Sequence, residues 1–390
     1  MKIRSLFVAL AITMLLAVVV AANTSEESSI DLKWYGNFTL DGAYDQNLTS
    51  HGNYIMWVQP RTYEKDDEQF NMTANQTRFG FLVNDQNHFN DARVGGRLEF
   101  DLYAPGAAQD GPMLQLRHAY LTIKYNNTRL LAGQSSDLVS PLNPSTLNYA
   151  VLWGCGNIGY RRPQVSLWQT IPFSDQSQVT MAGGFFRTIG SDLTPSLTLS
   201  LGEVSEGVDD GTDAGIPSFQ GLFEIKHDFS TSGSVRIGAS GLWGQLKAET
   251  SHGKFQTYES WAAVGHLQVD FSDNFGLSGE AYTGANLTSY LGGILQNSTI
   301  NGVETMGGWA SAWIKPSPKF KFTAGFGLDD PKDETISSGR SRNMSYFGNI
   351  TYNLLPQASV GIEVSQWKTE YKYSETAQNL RAQTSFNFSF

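Results

Sequence analysis

The 390 residues hold a single cysteine, Cys155, so no internal disulfide supports the fold. Charge is also scarce: 16% of residues are charged, and what there is leans acidic, with 27 Lys and Arg against 37 Asp and Glu. A chain with net charge −10 does not attract polyanions as a whole, and no nucleic-acid partner is expected. Metal-ligand spacing and a phosphate-binding glycine loop are both missing, so neither a metal nor a cofactor is expected. The six histidines, at 51, 88, 118, 227, 252 and 266, have no companion motif for a nucleophile, so an enzyme is not expected either. Beyond residue 22 no apolar run is long enough for a membrane-spanning helix.

The amino-terminal stretch MKIRSLFVALAITMLLAVVVAA has a basic start at Lys2 and Arg4, an apolar run from Leu6 and small residues at Ala21 and Ala22. This is the layout of a secretory signal peptide over residues 1–22, cleaved after Ala22. Loss of Lys2 and Arg4 takes the net charge from −10 to −12. Export argues against a cytosolic redox role for Cys155 and for a packed, inert thiol.

Glycine and aromatics are abundant instead, with 39 glycines and 12% aromatic residues. They sit in alternating strands. At the carboxy terminus Leu380, Ala382, Thr384, Phe386, Phe388 and Phe390 share one face, while Arg381, Gln383, Ser385, Asn387 and Ser389 share the other. Leu32, Trp34, Gly36, Phe38 and Leu40 repeat the pattern near the start. Strands read at 32–44, 74–84, 92–103, 113–125, 128–133, 158–169, 177–188, 218–229, 233–244, 258–271, 274–285, 303–315, 319–328, 345–354, 358–368 and 379–390 number about sixteen.

Their connections alternate between long and short. Asp45 to Thr73, Gly190 to Pro217, Asn286 to Gly302 and Asp329 to Met344 are long; Asn126-Asn127, Ser272-Asp273 and Pro316 to Pro318 are short. An even strand number with short turns on one side and long loops on the other is the asymmetry of an outer-membrane barrel. The expected fold class is therefore an all-β, transmembrane, antiparallel barrel over residues 32–390. Residues 23–31 would form a short periplasmic segment, and outer-membrane lipid would surround the wall. The long loops carry acids, among them Glu64, Asp66, Glu203, Asp209, Asp329 and Asp333, which suit solvation or binding of divalent cations.

Residues 135–157 stand apart. Pro141, Pro144, Gly154, Gly156 and Gly159 break the segment from Ser135 onward, yet it is too apolar for a solvated loop. It is expected to fold into the barrel and narrow it, with Asp137 and Tyr149 facing the pore. Strand parity points Arg78, Arg93, Arg97, Arg117 and Arg162 inward on the neighbouring wall. Two roles fit these arginines: bracing the wall against acids such as Glu99, Asp101 and Glu363, or guiding anions whose carboxylates their guanidinium forks hold. The same parity puts His118 outward between Leu116 and Tyr120, a poor place against lipid, which suggests a contact between subunits.

At LRHAYLTI, LLAGQSSDLVSPLNPSTLNYAVLWG and YRRPQVSL, with TRFGF from Thr77 and GGRLEFD from Gly95, the chain resembles the DcaP-like outer-membrane porins. The terminal FNFSF is similar to the aromatic assembly signal of outer-membrane barrels. The resemblance implies a homotrimer of sixteen-stranded barrels with an inward third loop, passing small anions such as dicarboxylates. Arg78, Arg97, Arg117 and Arg162 match the family's strand motifs. An amino-terminal coiled-coil extension, found in some members, is expected to be absent. The competing reading is a surface interaction protein, an adhesin or receptor, working through its long acidic loops.

Overall fold

The computed structural model describes residues 30–60, 67–85, 91–104, 111–189, 210–251, 254–296 and 302–390. The expected signal peptide and the loop acids Glu64, Asp66, Glu203 and Asp209 lie outside the described residues. Among these residues seventeen strands follow in chain order: β1 Ile30–Asp45, β2 Gln69–Thr73, β3 Arg78–Asp85, β4 Arg93–Asp101, β5 Gln115–Tyr125, β6 Thr128–Ser136, β7 Arg161–Ser174, β8 Ser177–Phe186 and β9 Ser218–Asp228. After these come β10 Ser234–Ser251, β11 Lys254–Ser272, β12 Phe275–Ala285, β13 Glu304–Ser317, β14 Phe320–Pro331, β15 Gly339–Leu355, β16 Ala358–Lys372 and β17 Ser374–Ser389.

β1 pairs antiparallel with both β2 and β3, from β3 onward every strand pairs antiparallel with the next in sequence, and β1 also pairs with β17, which closes the sheet. Two strands share one place in the wall. Asp41–Asp45 of β1 pair with β2, while Ile30–Asn37 of β1 pair with β3, so the seventeen strands make a barrel of sixteen staves. The stretch 74–84 expected as one strand covers the break and most of β3 in this stave, while β2 precedes it.

Closure gives each strand two environments. On β17 Phe386 and Phe388 are 52% and 48% exposed, while Arg381 and Gln383 are 1% and 2% exposed. The exposed aromatics face outward, where oil replaces water, and the polar residues face the interior. Asn126 takes φ 48°, a left-handed value that asparagine tolerates, and closes the β5–β6 hairpin in two residues. The alternation of connection lengths is less strict than the sequence suggested. Residues 245–257 and 369–378, expected as loops, mostly continue as β10–β11 and β16–β17, the latter pair turning at Tyr373.

The interior is filled from one side. Residues 137–160, between β6 and β7, run along the inner wall from β9 to β17 and are tied there by side chains reaching up to their backbone. Leu138 and Val139 donate N–H to Gln220 Oε1 at 2.7 and 3.1 Å, Leu142 donates to Glu280 Oε1 at 2.8 Å, and Leu147 donates to Glu363 Oε2 at 2.7 Å. Asn349 and Gln383 donate to the carbonyls of Ser145 and Leu147 at 2.8 and 3.0 Å. Two apolar clusters seal the seam. Leu142, Leu152 and Cys155 pack with Trp309, Phe347 and Trp367, and Val139 and Ile158 pack with Val264, Tyr282 and Tyr290. Burial pushes the Cys155 thiol well up, so it stays protonated and packed.

Two further connections, expected only as long loops, also turn inward. Ile55 and Val58 of the β1–β2 connection are fully buried, and Asn148 clamps Ile55 by accepting from its N–H at 3.2 Å and donating to its carbonyl at 2.8 Å. Leu287 and Ile294 of the β12–β13 connection are buried as well. Asp329, expected among the solvated loop acids, lies instead within β14 with no exposure, accepting from Thr305 Oγ1 at 2.7 Å and Ile294 N–H at 3.1 Å. The inward connections need acceptors for their backbone, and a wall carboxylate supplies one.

Gly156 marks the closest approach of loop to wall. It takes φ +104°, and a Cβ there would meet the Gly308 carbonyl oxygen at 2.1 Å. Gly156→Ala is therefore expected to lift the 137–160 segment off β13, lowering the thermal midpoint in detergent and raising the unit conductance in a bilayer. A variant with wild-type conductance and midpoint would show that the segment is not seated through Gly156.

Candidate functional site

The wall left uncovered by the inner segment is formed by β3 to β7. Three of its arginines surround two carboxylates. Glu99 accepts from Arg117 Nε at 2.8 Å, lies 3.7 Å from Arg78 Nε, and is hydrogen-bonded by Arg97 and by the Tyr35 hydroxyl, the latter at 2.8 Å. Asp101 is paired with Arg117 and accepts from the Tyr149 hydroxyl at 3.2 Å. Glu99 and Asp101 are 1% and 0% exposed, so these charges interact in a medium poorer than water.

Arg117 reaches both acids because of a local defect in the ladder. Glu99 pairs with His118 but Phe100 pairs with Leu116, so Arg117 is the extra residue of a β-bulge. The bulge puts two consecutive side chains on the inner face. His118 consequently points inward, 8% exposed, with Nε2 3.9 Å from Glu99 Oε1. The outward placement read from strict alternation was wrong, and the subunit contact inferred from it loses its basis.

Arg162 and Asp137 form a separate pair at the root of the inner segment. Arg162 Nε lies 2.7 Å from Asp137 Oδ1, a second nitrogen donates to the Ser289 carbonyl at 3.0 Å, and the guanidinium sits 3.7 Å from the Tyr290 ring centroid. Asp137 also accepts from Gln220 Nε2 at 2.7 Å and from the Tyr160 N–H at 2.8 Å. This pair holds the segment's end and offers no free charge. Arg93 stands apart again, lower on β4, opposite Lys124.

A cavity of about 300 Å³ lies between the arginine wall and the inner segment, lined by Arg78, Arg117, Arg161, Tyr149, Tyr160 and Trp153 among others. Arg161 was not singled out from the sequence. Alternation sends it outward from Arg162, but it is the first residue of β7, where the chain leaves the inner segment, and its guanidinium lies 4.4 Å from the Tyr160 ring centroid. Arg161 is 8% exposed, and its Nε and one terminal nitrogen are buried without a hydrogen-bond acceptor. The dipeptide Arg-Arg before Pro163 was the available signal. The lining sets Arg78, Arg117 and Arg161 against the single carboxylate Asp137, an excess of two positive charges.

The aromatic lining continues outward from the cavity. Tyr149 packs against Tyr103 and Tyr54 in tilted contacts at 4.1 and 5.4 Å, and Tyr54 stacks on His51 at 4.6 Å. Burial, reinforced by Asp101, pushes the Tyr149 hydroxyl up, and burial pushes Tyr54 up to about 12. Both remain donors across the ordinary pH range.

No protein-family model matches the chain, and no curated protein matches it by sequence. Solved structures do match in fold. The outer-membrane channel DcaP of Acinetobacter baumannii superimposes with a TM-score of 0.71 at 19% identity, covering 95% of this chain and 100% of that one. An anion-selective porin from Comamonas acidovorans gives 0.57 at 12% identity, covering 93% and 100%. OprB of Pseudomonas putida gives 0.56 at 11% identity, covering 92% and 94%. The fold is that of the outer-membrane porins. Within this porin fold the inner segment occupies one side of the lumen and the arginines the other.

Asp137→Asn would strip the counter-charge from a fully buried guanidinium. It is expected to destabilise the barrel by ~3–5 kcal/mol, read as the unfolding midpoint in detergent. A shift no larger than that of an exposed substitution would mean that Ser289 and Tyr290 suffice to hold Arg162.

Proposed function

We propose that this chain is an outer-membrane porin, a passive diffusion channel that prefers small anions, dicarboxylates among them. One observation carries the reading: the cavity beside the inner segment is rimmed by more arginine than carboxylate. The inner segment supports it from the other side, because the luminal acids Glu280 and Glu363 accept its backbone N–H groups. Acids used in this way are turned away from the passage.

Glu99 and Asp101 set the spacing of the arginines and limit their strength. A guanidinium paired on one edge keeps its other N–H donors for a passing carboxylate. An anion entering the cavity exchanges water for these donors, and leaves because the nearby carboxylates keep the attraction shallow. Arg78, Arg117 and Arg161 reach the same space from different strands, so an anion with two carboxylates can engage two of them. The anion selectivity of the Comamonas acidovorans porin agrees with this reading.

The homotrimer is proposed on the family resemblance and on the trimer form described for OmpT of Vibrio cholerae. Localisation in the outer membrane follows from the porin fold, and a cleaved signal peptide is proposed as the route. The surface-interaction alternative gains nothing from Asp329, whose carboxylate is engaged inside the wall.

Arg78 and Arg161 are the informative pair to neutralise, since Glu99 keeps Arg97 and Arg117 when they go. Arg78→Gln with Arg161→Gln is expected to move the reversal potential in a salt gradient toward cation preference while the barrel keeps its unfolding midpoint. An unchanged reversal potential would reduce these arginines to wall braces.

A further inference from the structure

The turn-side mouth carries a charge arrangement that the cavity rim does not use. Arg93 of β4 lies directly opposite Lys124 of β5, and Lys124 lies directly opposite Arg129 of β6. All three share the inner face with Arg97 and Glu99, as the register requires. Directly opposed residues on one face have Cβ atoms roughly 5 Å apart, and like charges so placed destabilise a sheet. Among the described residues none of the three is in an ion pair. The Arg129 guanidinium rests 4.2 Å from the Trp168 ring centroid, which orients it and leaves its charge unmet. Across the same mouth Lys315 and Lys321 lie 4.8 and 5.9 Å from the Trp313 ring centroid.

Bracing explains paired arginines; it does not explain three adjacent cations that repel one another. We propose that Arg93, Lys124 and Arg129 form a second anion station at the turn-side mouth, selective for small anions carrying two or more charges. The row spans two inter-strand spacings, roughly 10 Å in all. A single carboxylate or chloride bridges one neighbouring pair and leaves the third cation unneutralised. A diphosphate or tricarboxylate, with charges spread along its length, meets the whole row. Arg97 lies four residues along β4 from Arg93, so the two stations are separated by about 13 Å. An anion leaving the cavity thus finds the next cations within one step of the wall, and the mouth draws multivalent anions out of it.

This inference extends the anion-channel reading, and the experiment separates the two. The full chain is reconstituted in a planar bilayer from one side, and inorganic pyrophosphate or acetate is added to each face in turn while current is recorded. Pyrophosphate on the turn side is expected to reduce the current at concentrations where acetate does not. Arg93→Gln with Lys124→Gln is expected to raise the half-blocking pyrophosphate concentration about tenfold, equivalent to about 1.4 kcal/mol, and to leave the unfolding midpoint unchanged or higher. Lys124→Gln alone, a milder change in the same row, is expected to shift block in the same direction should the double variant fold poorly. Equal block of wild type and variants, or equal block by acetate and pyrophosphate, overturns the station. A wild type that is cation-preferring in a salt gradient yet shows the turn-side block overturns the channel's anion preference and leaves the station standing.

Discussion

Backbone pairing in oil is the constraint from which this molecule is built. An amide or carbonyl facing hydrocarbon without a partner costs several kcal/mol, so the sheet has no free edge, and β1 must meet β17 as well as β2 and β3. Closure then forces every strand to show one face to lipid and one to the interior. The same requirement reaches inside the lumen. The segment 137–160 has no strand partner for most of its length, and its N–H groups are met by Gln220, Glu280 and Glu363 from the wall. The interior side chains are therefore arranged first to satisfy backbone, and the passage is what remains uncovered.

Alternation made much of this legible in the residues. Phe386 and Phe388 against Arg381 and Gln383 announce two solvents without any tertiary information, and Asn126-Asn127 announces a two-residue hairpin. Pro141, Pro144 and the glycines around Gly156 mark a segment that neither extends nor dissolves. Parity fails where a single residue is inserted. The bulge at Arg117 shifts everything on β5 before it relative to everything after, so His118 lands beside Glu99 instead of lipid. Nothing in HAYLTI reveals an extra residue, because a bulge is a property of the pairing with β4.

Other features are unreadable for a related reason: they depend on contacts between distant parts of the chain. Asp329 has the look of a loop acid until Ile294, brought in by the β12–β13 connection, donates to it. Arg161 has the parity of a lipid-facing residue until the first turn of the inner segment's exit places Tyr160 beneath it. The β1–β2 connection reads as an ordinary long loop, and its inward course is fixed by Asn148 on a different loop altogether. Local pattern specifies the wall; what lines the lumen is specified by pairs of residues far apart in sequence.

Net charge is a poor guide to such a lumen. The chain is acidic overall, at −10, yet its acids and bases are sorted by position. Glu280 and Glu363 on the covered wall are occupied by loop backbone, and Asp137 by Arg162. The β3–β7 wall keeps arginine in excess around the cavity, and among the described residues three cations of the turn-side mouth are in no ion pair. In water such local excesses would be screened over about 10 Å at ordinary ionic strength. A narrow passage with low-dielectric walls screens less and focuses the field along its length. On the proposed anion-channel reading, the sign that a solute experiences is set by the few charges left unspent at the narrowing, the guanidinium groups beside the inner segment.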